Sequence, residues 1–127
     1  MTITPEESEK PIDKKFRWEA DLDGTSFELY IPKWRVPDPK PRLIHVTIDP
    51  YAGEYICRLS RIEADQSPEK RQRPIIAHLE YVAPKTETIQ YKPDEGDDED
   101  WEIGQPYIPT PMTFDESERL TMTVNWK

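Results

Sequence analysis

The segment Leu120-Thr121-Met122-Thr123-Val124-Asn125-Trp126 places an apolar side chain at every second position, with small polar residues between. Successive side chains of a strand point to opposite faces, so this period of two predicts a strand with one buried and one wet face. Phe16-Arg17-Trp18-Glu19-Ala20-Asp21-Leu22 repeats the pattern with its apolar residues on one face, and Phe27-Glu28-Leu29-Tyr30-Ile31 repeats it again. Asp23-Gly24 lies between these two runs and predicts a tight hairpin turn, because Gly accepts a positive φ. Further strands are predicted over residues 43–48, 54–62, 74–82 and 86–92. In the second of these, Tyr55, Cys57 and Leu59 share a face. Trp18, Phe27, Leu29, Leu120, Met122 and Val124 are the expected core.

Fourteen prolines against four glycines cut the chain into short pieces. Proline lacks the N–H that a central ladder or a helix interior needs, so long regular elements are excluded. Four prolines between Pro32 and Pro41 predict an extended connection, residues 63–73 a polar flexible loop, and residues 93–102 an acidic loop. Helix is expected only in short pieces, near the N-terminus (Thr4-Pro5-Glu6-Glu7 has a helix-start pattern) or over 113–119. The expected fold is all-β: one domain spanning 1–127, an antiparallel β-sandwich or small β-barrel with long Pro-rich and acidic loops. Residues 1–14 are expected to be a flexible or short-helical segment.

Charge narrows the partners. The net charge is −9, with four basic and twelve acidic residues in 74–127 alone, whereas 33–73 carries nine basic and six acidic. Phosphate neutralisation supplies most of the affinity of generic nucleic-acid binding, so this balance disfavours DNA and RNA and favours a basic protein partner. The basic stretch Lys70-Arg71-Gln72-Arg73, downstream of Tyr51 and Tyr55, reads as a polar loop tip between acidic flanks. A single cysteine, Cys57, excludes a disulfide within the chain and any Cys-cluster zinc site. No apolar run reaches the roughly 20 residues of a membrane span, and the N-terminus has no signal-peptide pattern. A cytoplasmic, reducing setting is the expectation.

The loudest local signal is Asp94-Glu95-Gly96-Asp97-Asp98-Glu99-Asp100, followed by Trp101. Clustered carboxylates suit hard cations, but the EF-hand register fails: Gly96 in the sixth position would put Tyr91 first, and Gly104 there would put Trp101 third. The run reads as a solvated loop that can meet a basic partner, with Trp101 as an adjoining anchor. His45, His78 and Glu80 are weak candidates for a metal, since two His and a carboxylate can hold non-haem iron. No nucleophile elbow or phosphate-cradling glycine loop is present, and no cofactor is expected. The leading expectation is a non-enzymatic interaction domain, adaptor-, inhibitor- or immunity-like, that presents an acidic face (Asp94, Glu95, Asp97, Asp98, Glu99, Asp100, Trp101) to a basic protein. The alternatives are a calycin-like barrel for a small apolar ligand and a metal-dependent enzyme on a β scaffold.

Overall fold

The strand at the chain's C-terminal end, β9 (Arg119–Trp126), is the centre of the molecule. In the computed structural model, which describes residues 2–8, 14–53, 58–94 and 96–127, it is flanked on one side by β5 (Ile44–Pro50) and on the other by β6 (Ile75–Pro84). Its alternation sets three apolar rows across the sheet. Leu120 faces Leu79, Met122 lies between Ile48 and Ala77, and Val124 lies between Val46 and Ile75. Leu120, Met122 and Val124 are wholly buried. β1 (Thr2–Ile3), β7 (Thr88–Pro93) and β8 (Tyr107–Pro109) complete a six-stranded sheet in the order β1-β5-β9-β6-β7-β8, all pairs antiparallel.

A second sheet holds β2 (Glu6–Ser8), β3 (Lys15–Leu22) and β4 (Thr25–Pro32), again antiparallel. β3 and β4 form the expected hairpin. Asp23 and Gly24 both take positive φ, 53° and 89°, which matches the right-handed twist of the flanking strands, and the Asp21 carboxylate accepts the Gly24 N–H at 2.8 Å. Trp18 and Leu29 pair across the ladder, as do Ala20 and Phe27, so the apolar face is continuous. All six expected core residues are fully buried.

One of the two sheets is a curled half-barrel, and buried residues of both share one hydrophobic core. Hydrogen bonds join them at both seams. At one seam the chain crosses from β1 to β2 through Thr4-Pro5, with Glu7 N–H donating to Arg42 C=O at 2.8 Å and Ile44 N–H to Pro5 C=O at 3.2 Å. At the other, Gly104 N–H donates to Tyr30 C=O at 2.7 Å. The approach is close: a Cβ at Gly104 would stand 3.3 Å from Tyr30 Cβ and 3.4 Å from its carbonyl oxygen, so a side chain there would have to push Tyr30 aside.

Four expectations need correction. Residues 1–14 are not helical where described. Ile3 is buried and Thr2–Ile3 pairs with Thr47 and Val46, while Glu6–Ser8 pairs with β3. Both sheets offered an edge with free backbone groups, and pairing satisfies them better than an isolated helical turn does. In the strand expected over 54–62, residues 54–57, including Cys57, lie outside the described residues, and residues 61–66 form a helix, α1 (Arg61–Gln66). Ser60 Oγ accepts the Glu63 N–H at 3.1 Å and the Glu63 carboxylate returns to Ser60 Oγ at 3.2 Å, a Ser-x-x-Glu box that overrides the local apolar alternation. The loop expected over 63–73 is instead ordered as the end of α1 and a 3-10 turn, Pro68–Gln72. Where a short helix is one expectation over 113–119, residues 113–118 form a turn in which Phe114, Asp115 and Glu116 all take positive φ, and Arg119 begins β9.

Two outcomes follow from the packing. Trp18, which also donates through Nε1 to Pro41 C=O at 3.2 Å, should cost about 3–5 kcal/mol when replaced by Ala; urea unfolding measures this, and a loss below about 1 kcal/mol contradicts the face assignment. Tyr91 is wholly buried and donates its hydroxyl to Ser117 C=O at 2.6 Å. Desolvation, with the nearby Tyr81, pushes its pKa from 10.0 up to about 12. A phenol whose folded pKa is raised contributes stability that is complete below pH 10 and lost as pH rises through 12. Unfolding followed against pH should show this alkaline limb, and Tyr91→Phe should flatten it; an unaltered limb in the variant contradicts the assignment.

Candidate functional site

Arg35 is 1% exposed and Glu102 is 7% exposed; with Arg17 they are the buried Lys, Arg, Asp and Glu side chains among the described residues. Arg35 follows β4 in a 3-10 turn, Lys33–Arg35, and Glu102 ends the acidic loop. Arg35 Nε donates to Glu102 Oε2 at 2.5 Å. The guanidinium also donates to Arg71 C=O at 2.8 Å, Arg73 C=O at 2.7 Å and Pro74 C=O at 3.2 Å. The second Glu102 oxygen accepts the Leu59 N–H at 3.3 Å. Burial pulls the Arg35 pKa below its ordinary value, and the hydrogen bond and charge of Glu102 oppose that pull. One ion pair therefore ties four separate stretches of chain together, around residues 35, 59, 71–74 and 102. Removing one partner of such a pair leaves a buried uncompensated charge.

Those stretches border a cleft of about 510 Å³. Its lining brings together Trp34 and Trp101, the cations Lys14, Lys15, Lys33 and Arg61, and the acids Asp98 and Glu99. Trp34 and Lys33 adjoin Arg35 in sequence, Trp101 adjoins Glu102, and Arg61 opens α1, whose neighbouring 3-10 turn supplies a carbonyl to Arg35. The pair thus fixes the walls of the cleft. Trp101 donates through Nε1 to Gly96 C=O at 3.2 Å, which folds the loop back onto its own ring.

The acidic loop divides into pinned ends and a free middle. Asp94 pairs with Arg119, whose guanidinium stacks 3.8 Å above the Tyr51 ring. Residues 97–100 form a turn closed by Asp100 N–H to Asp97 C=O at 2.8 Å, with all four carboxylates exposed. Among the described residues none of these four is in an ion pair. Glu95 lies outside the described residues. Glu102 and Ile103 are buried, so the loop packs at its end despite its polarity.

His45, His78 and Glu80 do not converge. Their strand partners on β9 show why: His45 is opposite Asn125 and His78 opposite Thr121, four residues or roughly 13 Å apart along the strand, whereas a shared ion needs both rings within about 2.1 Å. His78 Nδ1 lies 3.0 Å from Thr121 Oγ1 and its ring packs edge-on against Tyr51, while Glu80 pairs with Lys92 at 3.3 Å. Among the described residues no group of three or more His, Cys, Asp or Glu is arranged to hold a metal. The basic stretch 70–73 faces inward through its carbonyls, which bind Arg35, and outward through its side chains.

Arg35, Glu102, Trp34 and the cations of the cleft were not singled out by the sequence pattern. Arg35 sits among prolines and Glu102 at the end of an acidic run, so neither carries a period that marks burial. No protein-family model, curated protein or solved structure matches the chain.

If the pair is what holds these stretches, Arg35→Met and Glu102→Gln should each cost about 3–5 kcal/mol, and the double variant should cost clearly less than their sum. Denaturant unfolding of the cycle measures this. Additive losses contradict direct coupling.

Proposed function

We propose that the chain is a non-enzymatic interaction domain that presents the acidic turn of residues 97–100 to a basic protein partner. The observation that carries this reading is the state of the turn: four exposed carboxylates, unpaired among the described residues, on a segment pinned at Asp94 and Glu102. A pinned turn keeps its charges in one arrangement, so a partner meets them without first ordering a loop. A second acidic surface, a shallow groove of about 470 Å³ bordered by Glu6, Glu7, Glu19 and Asp21 on the three-stranded sheet, extends the negative field. The calycin-like alternative draws no support from an interior occupied by Trp18, Phe27, Leu29, Ile48, Leu79 and Met122.

Neutralising Asp97, Asp98 and Asp100 together to Asn tests the proposal. With a deca-arginine peptide as the probe, wild-type affinity should fall steeply between 50 and 300 mM salt, because exposed charges are screened over about 8 Å at physiological ionic strength. The triple variant should bind several-fold more weakly and associate more slowly, with little change in dissociation. A control neutralised at three exposed acids elsewhere (Asp23→Asn, Glu69→Gln, Asp115→Asn) should bind nearly as wild type does. Equal losses in both variants would mean that net charge alone, not the turn, attracts the peptide.

A further inference from the structure

The cleft beside the turn has a different chemistry from the turn itself. Seven lysines and arginines of the described chain have carboxylate partners. Arg42, Arg73, Lys85 and Lys127 have none among the described residues, and neither do Lys14, Lys15, Lys33 and Arg61, of which Lys33 Nζ lies 5.2 Å from the centre of the Phe16 ring. Lys14, Lys15, Lys33 and Arg61 line one cleft, and two part-exposed indoles, Trp34 and Trp101, line it with them. The fold shows that it can bury a large ring, since Trp18 and Tyr91 are wholly enclosed. Its volume of about 510 Å³ lies within the range of small-molecule sites.

Cations gathered in one cleft suit an anion, and indole rings beside them suit a flat ring. We propose that this cleft binds a mononucleotide: the base against Trp34 or Trp101, the phosphates among Lys14, Lys15, Lys33 and Arg61. Stacking on aromatic side chains tolerates any base, and the Lys and Arg heads hold phosphate as point charge and fork respectively. Asp98 and Glu99, on the same lining, can accept hydrogen bonds from ribose hydroxyls or a base amino group. They also repel a long polyanion, as does the net charge of −9, so a single nucleotide is favoured over a nucleic-acid strand. The inference is independent of the basic partner proposed for the outer turn.

Titration calorimetry with tryptophan fluorescence tests it on the full chain at 50 mM salt. ADP should bind one to one and quench the fluorescence. Adenosine and tripolyphosphate, each carrying half of the chemistry, should bind at least about ten-fold more weakly, and a ten-residue oligothymidylate should bind no better than ADP. Trp101→Ala should weaken ADP by about 5- to 100-fold, the range for losing one stacked base, with Trp101→Phe restoring most of it. Lys15→Gln with Lys33→Gln should weaken ADP and flatten its salt dependence. Melting curves of each variant separate loss of binding from loss of fold, and Trp34→Ala stands in if Trp101→Ala unfolds. Absence of saturable ADP binding overturns the proposal. So does tripolyphosphate binding as tightly as ADP, which would leave an anion patch without stacking, or tighter binding of the oligothymidylate, which would make the cleft a single-strand groove.

Discussion

The arrangement of the loops depends on one buried ion pair. Arg35 brings a planar fork of donors into the interior, and its bonds reach two other stretches of chain: the Glu102 carboxylate at the end of the acidic loop and the carbonyls of Arg71, Arg73 and Pro74. The pair is not there chiefly for stability, since desolvation offsets much of the attraction between buried charges. What it supplies is position. A guanidinium in low dielectric tolerates few alternative arrangements of its partners, so the turn after β4, the helix α1 with its following turn, and the end of the acidic loop take one relative placement. Trp34, Trp101 and Arg61 line the cleft from those same stretches.

Beneath this layer the barrel uses a simpler logic. β9 carries the cleanest alternation and occupies the centre of the larger sheet, where both its ladder faces are paired. The hairpin β3–β4 is set by a two-residue turn in which both residues take positive φ. The two sheets meet where the chain crosses from β1 to β2 and where Gly104 reaches Tyr30. The strands and the pinned loops together place charge of both signs at one rim, an acidic turn and a cleft lined by Lys14, Lys15, Lys33 and Arg61.

Most of the barrel was legible in the sequence because burial on one face of a strand leaves a period of two. Residues 16–22, 27–31, 43–48, 74–82, 86–92 and 119–126 all fall in or largely within strands. The site was half legible. Asp98, Glu99 and Trp101 announced themselves as a charged run with an adjoining aromatic. Lys14, Lys15, Lys33 and Arg61 did not, since they come from three regions that only the fold brings together, and a scattered set has no spacing to read. Ser60 and Glu63 did carry a helix-start box, but the apolar residues around them masked it as strand alternation. N-terminal pairing was hidden for another reason: Thr2–Ile3 and Glu6–Ser8 are too short to show a period, and their partners are distant in sequence.

Native-state hydrogen exchange on the wild type and on Glu102→Gln tests directly whether the pair organises the loop layer. If it does, the amides of Leu59, of α1 and its following turn, and of residues 101–104 should lose protection together in the variant, by about ten-fold or more per 1.4 kcal/mol of local destabilisation. The amides of β3, β4 and β9 should keep the protection set by global unfolding. Loss of protection confined to Leu59, or an equal loss in the loops and in the barrel strands, would contradict the claim that one buried charge pair holds these segments as a unit.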